Sequence, residues 1–348
     1  MLTGTLFALA AGLMWGLVFV GPLLLPDYPA LLQSFGRYLA FGLIALPLAW
    51  LDRRRLGQLT RADWWAALEL AAVGNLVYYA FLASAIQRAG APLPTMIIGT
   101  LPVVIAVSSN LRDARRDGRL PWLRLLPSLI LIGAGIALVN QVEIGEMYAA
   151  GAASAAAAAA AGQADDSGVA LGRYLVGALL AVGAVICWTW YPLRNADWLR
   201  AHPDRSPRTW ATAQGIATLP LALIGYGLFW LWQSTQGMAT AAGNGAAGAF
   251  DMPFGPRPVY FVGLMFAIGL FASWLGTLCW NEASQRLPTS LAGQLIVFET
   301  LSALAYAYVL RGRWPGLPTL LGIALLVAGV MLALRVRPEP LVVQDHSA

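Results

Sequence analysis

Between Leu287 and Leu310 the chain runs for 24 residues with a single charged side chain, Glu299, close to the middle. A helix needs about 20 apolar residues to cross the hydrocarbon core of a bilayer, so this run is long enough to span. A carboxylate at the centre of such a helix costs about 2.5 kcal/mol or more, so it faces a partner or a wet cavity rather than lipid. Whatever the chain folds into must bring something to Glu299.

The same apolar length recurs along the chain, at about 3–25, 30–51, 63–87, 92–111, 121–141, 170–193, 208–232, 258–282, 287–310 and 316–335. Only 11% of the 348 residues are charged and 59% are hydrophobic, whereas soluble domains carry about 25% charge. A water-soluble globule could not cover its surface with so few charges. The expected fold class is therefore an all-α integral membrane protein of ten transmembrane helices. The first run has no basic leader and is too long for a signal-peptide core, so it is kept as a span.

Every one of the 22 basic side chains is arginine, and they cluster at the ends of the apolar runs. With the N-terminus inside, sixteen fall on cytoplasmic segments and five on outer ones, with Arg37 inside the second helix. The positive-inside rule then makes both termini cytoplasmic. The net charge of +5 is topology, not a nucleic-acid footprint. Cys187 and Cys279 lie within apolar runs and His202 and His346 outside them, which argues against a metal site or a cofactor. The absence of HExxH, GxSxG and a P-loop argues against an enzyme or an ATP-driven pump.

The halves resemble each other. Leu46-Pro47-Leu48-Ala49 recurs as Leu219-Pro220-Leu221-Ala222 and Trp15 as Trp188, both at an offset of 173. Ala85-x-Gln87-Arg88 recurs as Ala283-x-Gln285-Arg286 at 198. Five helices per half is odd, so the halves insert with opposite orientation, the inverted-repeat plan of many secondary transporters. The expected divisions are a first repeat at 1–141, an external Ala-rich linker at 142–169, a second repeat at 170–337 and a cytoplasmic tail at 338–348. The other long outer loop, 233–257, contains GNGAAG at 243–248. With no strand before it and no helix after it, that match to a dinucleotide fingerprint fails.

Three passages carry a family resemblance: AGLMWG at Ala11 to Gly16, GTLPVVIAV at Gly99 to Val107, and FETLSALAYAYVLRGR in the ninth helix. They resemble the drug/metabolite transporter superfamily in its ten-helix EamA branch, and the likeness covers nearly the whole chain outside the two long loops. Thr300 stands where the family pattern has proline after the glutamate, and Arg311-Gly312-Arg313 replaces its Gly-Glu. The resemblance implies movement of a small metabolite or drug across a bacterial inner membrane, often export, by a monomer or homodimer in contact with lipid. A facilitator or a non-transporting scaffold is the alternative.

Polar side chains within the spans are the candidate substrate contacts: Arg37, Glu299, Trp15, Gln33, Asn75, Tyr78, Tyr79, Trp188 and Gln294. Three readings of Arg37 and Glu299 stand. They form an ion pair that fixes packing; or Arg37 grips a substrate carboxylate in the bidentate manner of guanidinium while Glu299 titrates, coupling protons, or binds an amine; or the two never meet. Asn75 also suits interhelical bonding, and the tryptophans equally suit a membrane-facing belt. Pro102 falls mid-span in the fourth helix, where it should bend the backbone. Gly12 and Gly16 form a GxxxG seam for a neighbouring helix. Asn281 and Glu282, near the end of the eighth run, are expected to be solvated.

Overall fold

The computed structural model describes the chain except residues 26, 90–93, 95–96, 113–120, 161–166, 242–249, 313 and 337–348. Arg115, Arg116, Arg119, the GNGAAG stretch and the 338–348 tail lie outside the described residues. Among the described residues the regular structure is helical. In chain order the apolar helices are α1 Leu2–Phe19, α2 Ala30–Leu51, α3 Arg61–Ile86, α4 Leu101–Arg112, α5 Trp122–Val139, α6 Gly172–Ala201, α7 Pro207–Thr235, α8 Pro258–Arg286, α9 Leu291–Leu310 and α10 Leu317–Ala333. Eight are long and apolar enough to cross a membrane, and α4 and α10 are shorter.

Leu2, Leu6, Ile186, Leu228 and Val259 point outward from the bundle, each more than half exposed. Lipid tails are as apolar as leucine, so what holds such helices together is close packing and interhelical hydrogen bonds rather than exclusion of water. The contacts fall into a regular set: α1 with α8 and α9, α2 with α7, α3 with α6, α4 with α9, and α5 with α10. Exchanging helix n for helix n+5 leaves this set almost unchanged. The α1–α8 pair becomes α6–α3, while α2–α7, α4–α9 and α5–α10 map onto themselves.

A second regularity lies in the backbone. Seven residues of α3, Ala71–Val77, and seven of α8, Gly269–Leu275, are π-helical. The two segments are separated by 198 residues, the same offset that relates the Ala-x-Gln-Arg ends of these helices. A π turn inside an α-helix is rare and concentrates at functional sites.

Four expectations change. The helix that begins with α5 continues unbroken from Trp122 to Ala160, so residues 142–160 of the Ala-rich segment are helical. Nothing there stops it: the segment has no proline, and alanine has the highest helix propensity. Pro102 does not sit mid-helix. The chain turns at Gly99–Thr100 and α4 starts at Leu101, so Pro102 occupies a first turn, where its missing N–H is harmless. Thr100 Oγ1 donates to the Ile97 carbonyl at 2.7 Å. The ninth span is interrupted at Ile296, between Thr289–Leu295 and Val297–Arg311. Asn281 is fully buried rather than solvated.

Candidate functional site

Arg37 sits on α2 and is only 8% exposed. Its Nε donates to Ser273 Oγ at 3.0 Å, and its guanidinium lies 4.7 Å above the Tyr38 ring and 5.7 Å from that of Tyr79. Both separations are within the range of cation–π attraction. The terminal nitrogens donate to no described residue. Arg37 also lines a cavity about 10 Å³ in volume, together with Val18, Gly21, Gln33, Tyr79, Met265 and Ile268. That is room for one water molecule.

Gln33 shares the cavity. Its Nε2 bonds the carbonyls of Leu25 and Tyr28, each at 3.0 Å, pinning the α1–α2 turn, while its buried Oε1 has no partner.

Glu299 is 9% exposed. It lies one turn past the break at Ile296, in Val297–Arg311. It makes no hydrogen bond or ion pair to a described residue, and Arg37 does not come within 4.0 Å of it. The direct ion pair is therefore absent from this state. The position of Glu299 is set by α1: a Cβ on Gly12 would lie 3.0 Å from the Glu299 backbone nitrogen, and one on Gly16 2.7 Å from Ser302 Cβ. The GxxxG motif is thus an internal seam, and its occupant is the helix that carries the carboxylate.

An aromatic stack joins α1, α3, α6 and α8. Tyr78 lies on Trp188 at 4.7 Å with 21° between planes, and Trp188 on Tyr191 at 5.2 Å and 2°. Trp15 meets Trp188 edge-on at 5.4 Å and Trp280 at 5.2 Å. Trp15 and Trp188, equivalent at offset 173, therefore touch. The buried indole N–H groups of Trp188 and Trp280 have no partner.

The structure thus gathers Gln33, Arg37 and Tyr79 around the cavity and Trp15, Tyr78 and Trp188 in the stack, with Glu299 against the same α1 seam as Trp15. Gln294 is 1% exposed with neither amide atom bonded, and Ala292 and Leu295 bury beside it. Asn75 donates to Thr218 Oγ1 at 3.4 Å, which is interhelical bonding between α3 and α7. Bonds of this kind average about 0.6 kcal/mol in membrane helices, so Asn75→Ala should lower the melting temperature only slightly. A drop as large as that of a core truncation would contradict this. Tyr38, Tyr191, Ser273 and Trp280 are site residues that sequence reasoning passed over. Only Ser273 had a usable signal, since it is Asn75 shifted by 198.

Both ends of the bundle are tied. At the arginine-rich end Asn195 Nδ2 donates to Asn281 at 2.9 Å, and its Oδ1 accepts from Trp210 at 2.9 Å and Gln214 at 3.1 Å. Tyr191 bonds Gln214 at 2.9 Å, linking this network to the aromatic stack. Asp63 accepts from Trp198 at 2.9 Å, and Asp52 from Arg208 at 3.1 Å and Thr209. At the other end Arg257 pairs with Asp27 at 2.9 Å, and its backbone N–H donates to Tyr28 at 2.7 Å.

A bundle of apolar helices closed around two separated, buried, opposite charges and an aromatic wall defines a polytopic membrane protein with an internal polar site. Residues 2–141 match the EamA-like transporter family. Over 339 residues the chain is 54% identical to inner membrane protein YtfF of Escherichia coli (strain K12), covering 97% of each. The chain belongs to the EamA-like transporter family. A solved crystal structure 16% identical in sequence superposes with a TM-score of 0.66, covering 95% of this chain and 96% of its own, a likeness of fold.

Proposed function

We propose that this chain is a secondary active transporter built as two inverted five-helix repeats. It moves a small metabolite, amino-acid-like or drug-like, out across the bacterial inner membrane. The n to n+5 symmetry of the helix contacts, the paired π segments and the Pro47/Pro220 match support the duplicated plan, and the arginine distribution supports cytoplasmic termini. Substrate sits between the halves, on the level of Arg37 and Glu299, and is passed by alternating closure of the two ends.

One observation carries this reading: Glu299 is a buried carboxylate that bonds no partner among the described residues. Such a group is costly to keep, and a chain that retains it in mid-bundle uses it on something that comes and goes. Arg37, whose terminal nitrogens donate to no described residue and which lines the nearby cavity, supplies the opposite charge.

The test is a melting-temperature screen of the purified protein against amino acids and other small metabolites, followed by uptake into proteoliposomes with and without a pH gradient. A compound that raises the melting temperature is expected to be transported, faster with the gradient imposed. Compounds that bind yet never cross would leave a receptor or scaffold instead.

A further inference from the structure

The π segment Gly269–Leu275 holds Arg37 at two points. A Cβ on Gly269 would lie 2.9 Å from Ala40 Cβ and 3.2 Å from the Arg37 carbonyl oxygen, so α8 lies on the α2 backbone at this turn. Four residues on, Ser273, 3% exposed, accepts from Arg37 Nε at 3.0 Å. The equivalent segment Ala71–Val77 does the same for the other half: Asn75, which is Ser273 less 198, reaches Thr218 on α7. A polar reach from a π segment to the second helix of the opposite half is thus common to both repeats. The charge is not, because the residue 173 beyond Arg37 is Trp210, spent on Asn195.

We propose that Ser273 is the positioning residue of an oxyanion subsite at Arg37. By occupying Nε it leaves the two terminal amino groups as the donors presented to the cavity, and so selects ligands that carry a carboxylate or a phosphate. This rests on Arg37 being a substrate contact. The planar guanidinium has a fixed donor fork. If Nε were free, the group could rotate to offer its side edge, or turn against the Tyr38 and Tyr79 rings that flank it. With Nε held, the end-on pair of N–H groups is what remains for an oxyanion, the geometry that gives charge-assisted, two-point recognition. Widening of the helix is what allows a side chain as short as serine to reach across from α8.

The experiment titrates the purified full-length protein, in detergent at fixed ionic strength, with sodium benzoate, sodium acetate and sodium phosphate. Sodium chloride is the control, and tryptophan fluorescence is the readout. Saturable binding of a carboxylate or of phosphate is expected, and which one saturates names the oxyanion's carrier. Arg37→Ala should lose it. Ser273→Ala should weaken it about tenfold, the loss of one hydrogen bond to a charged group, with the melting temperature nearly unchanged, and Ser273→Thr should restore it. Wild-type affinity in Ser273→Ala, with binding lost in Arg37→Ala, overturns the positioning role and leaves the proposed function standing. A weakening that comes with a large fall in melting temperature, and that threonine does not rescue, makes Ser273 structural and overturns it too. No saturable binding of any of the three anions by the wild type removes Arg37 as a substrate contact, and the proposal with it.

Discussion

Glu299→Gln is expected to abolish uptake into proteoliposomes, by at least about a hundredfold, while the protein inserts and purifies as before. The substitution keeps shape and volume and removes only the charge. No described residue bonds the carboxylate, and Arg37 is held by Ser273 instead. Removing a carboxylate from mid-bundle relieves a cost of about 2.5 kcal/mol or more. The melting temperature of Glu299→Gln should therefore equal or exceed that of the wild type. Stability gained and transport lost is the pattern of a residue kept for function. A variant that transports at the wild-type rate removes Glu299 from the site, and one that fails to fold makes it a structural residue.

Glu299 and Arg37 were legible from sequence because a lone charge in an apolar run has no cheap explanation, and the structure buries both. The bounds of α2 were legible as well, because Pro29 and Asp52 bracket the run without ambiguity. What stayed hidden depends on distant partners or on one-residue differences in winding. AAVGNLV and GLFASWL read as ordinary helix, since no local preference separates an i+5 from an i+4 hydrogen bond, and Ser273 finds its arginine 236 positions away. Asn281 looked solvated because it falls near the end of the eighth run, yet its amide turns inward to Asn195. The alanine run looked too short to matter because spans are judged by length, whereas here it only had to prolong a helix already formed.

The placement of Glu299 depends on how closely α1 can lie on α9, and Gly16 sets that distance. A methyl group there would stand 2.7 Å from Ser302 Cβ and 2.9 Å from the Ala303 backbone nitrogen. A side chain could swing away from such a clash, but a backbone atom cannot, so the helices must part. Gly16→Ala is accordingly expected to cost about 1–3 kcal/mol, the usual range for overpacking, seen as a fall of several degrees in melting temperature. Its effect on uptake should be larger than that on stability, because Ser302 is three residues from Glu299 and a turn shifted there moves the carboxylate. Gly133 and Gly227, which meet nothing within 4 Å, provide the comparison. Alanine at either position should leave uptake alone and raise the melting temperature slightly, since glycine in mid-helix is less favourable than alanine by about 1 kcal/mol. If Gly16→Ala melts and transports like these two, the α1–α9 seam does not hold Glu299 in place, and the carboxylate must be positioned by α9 alone.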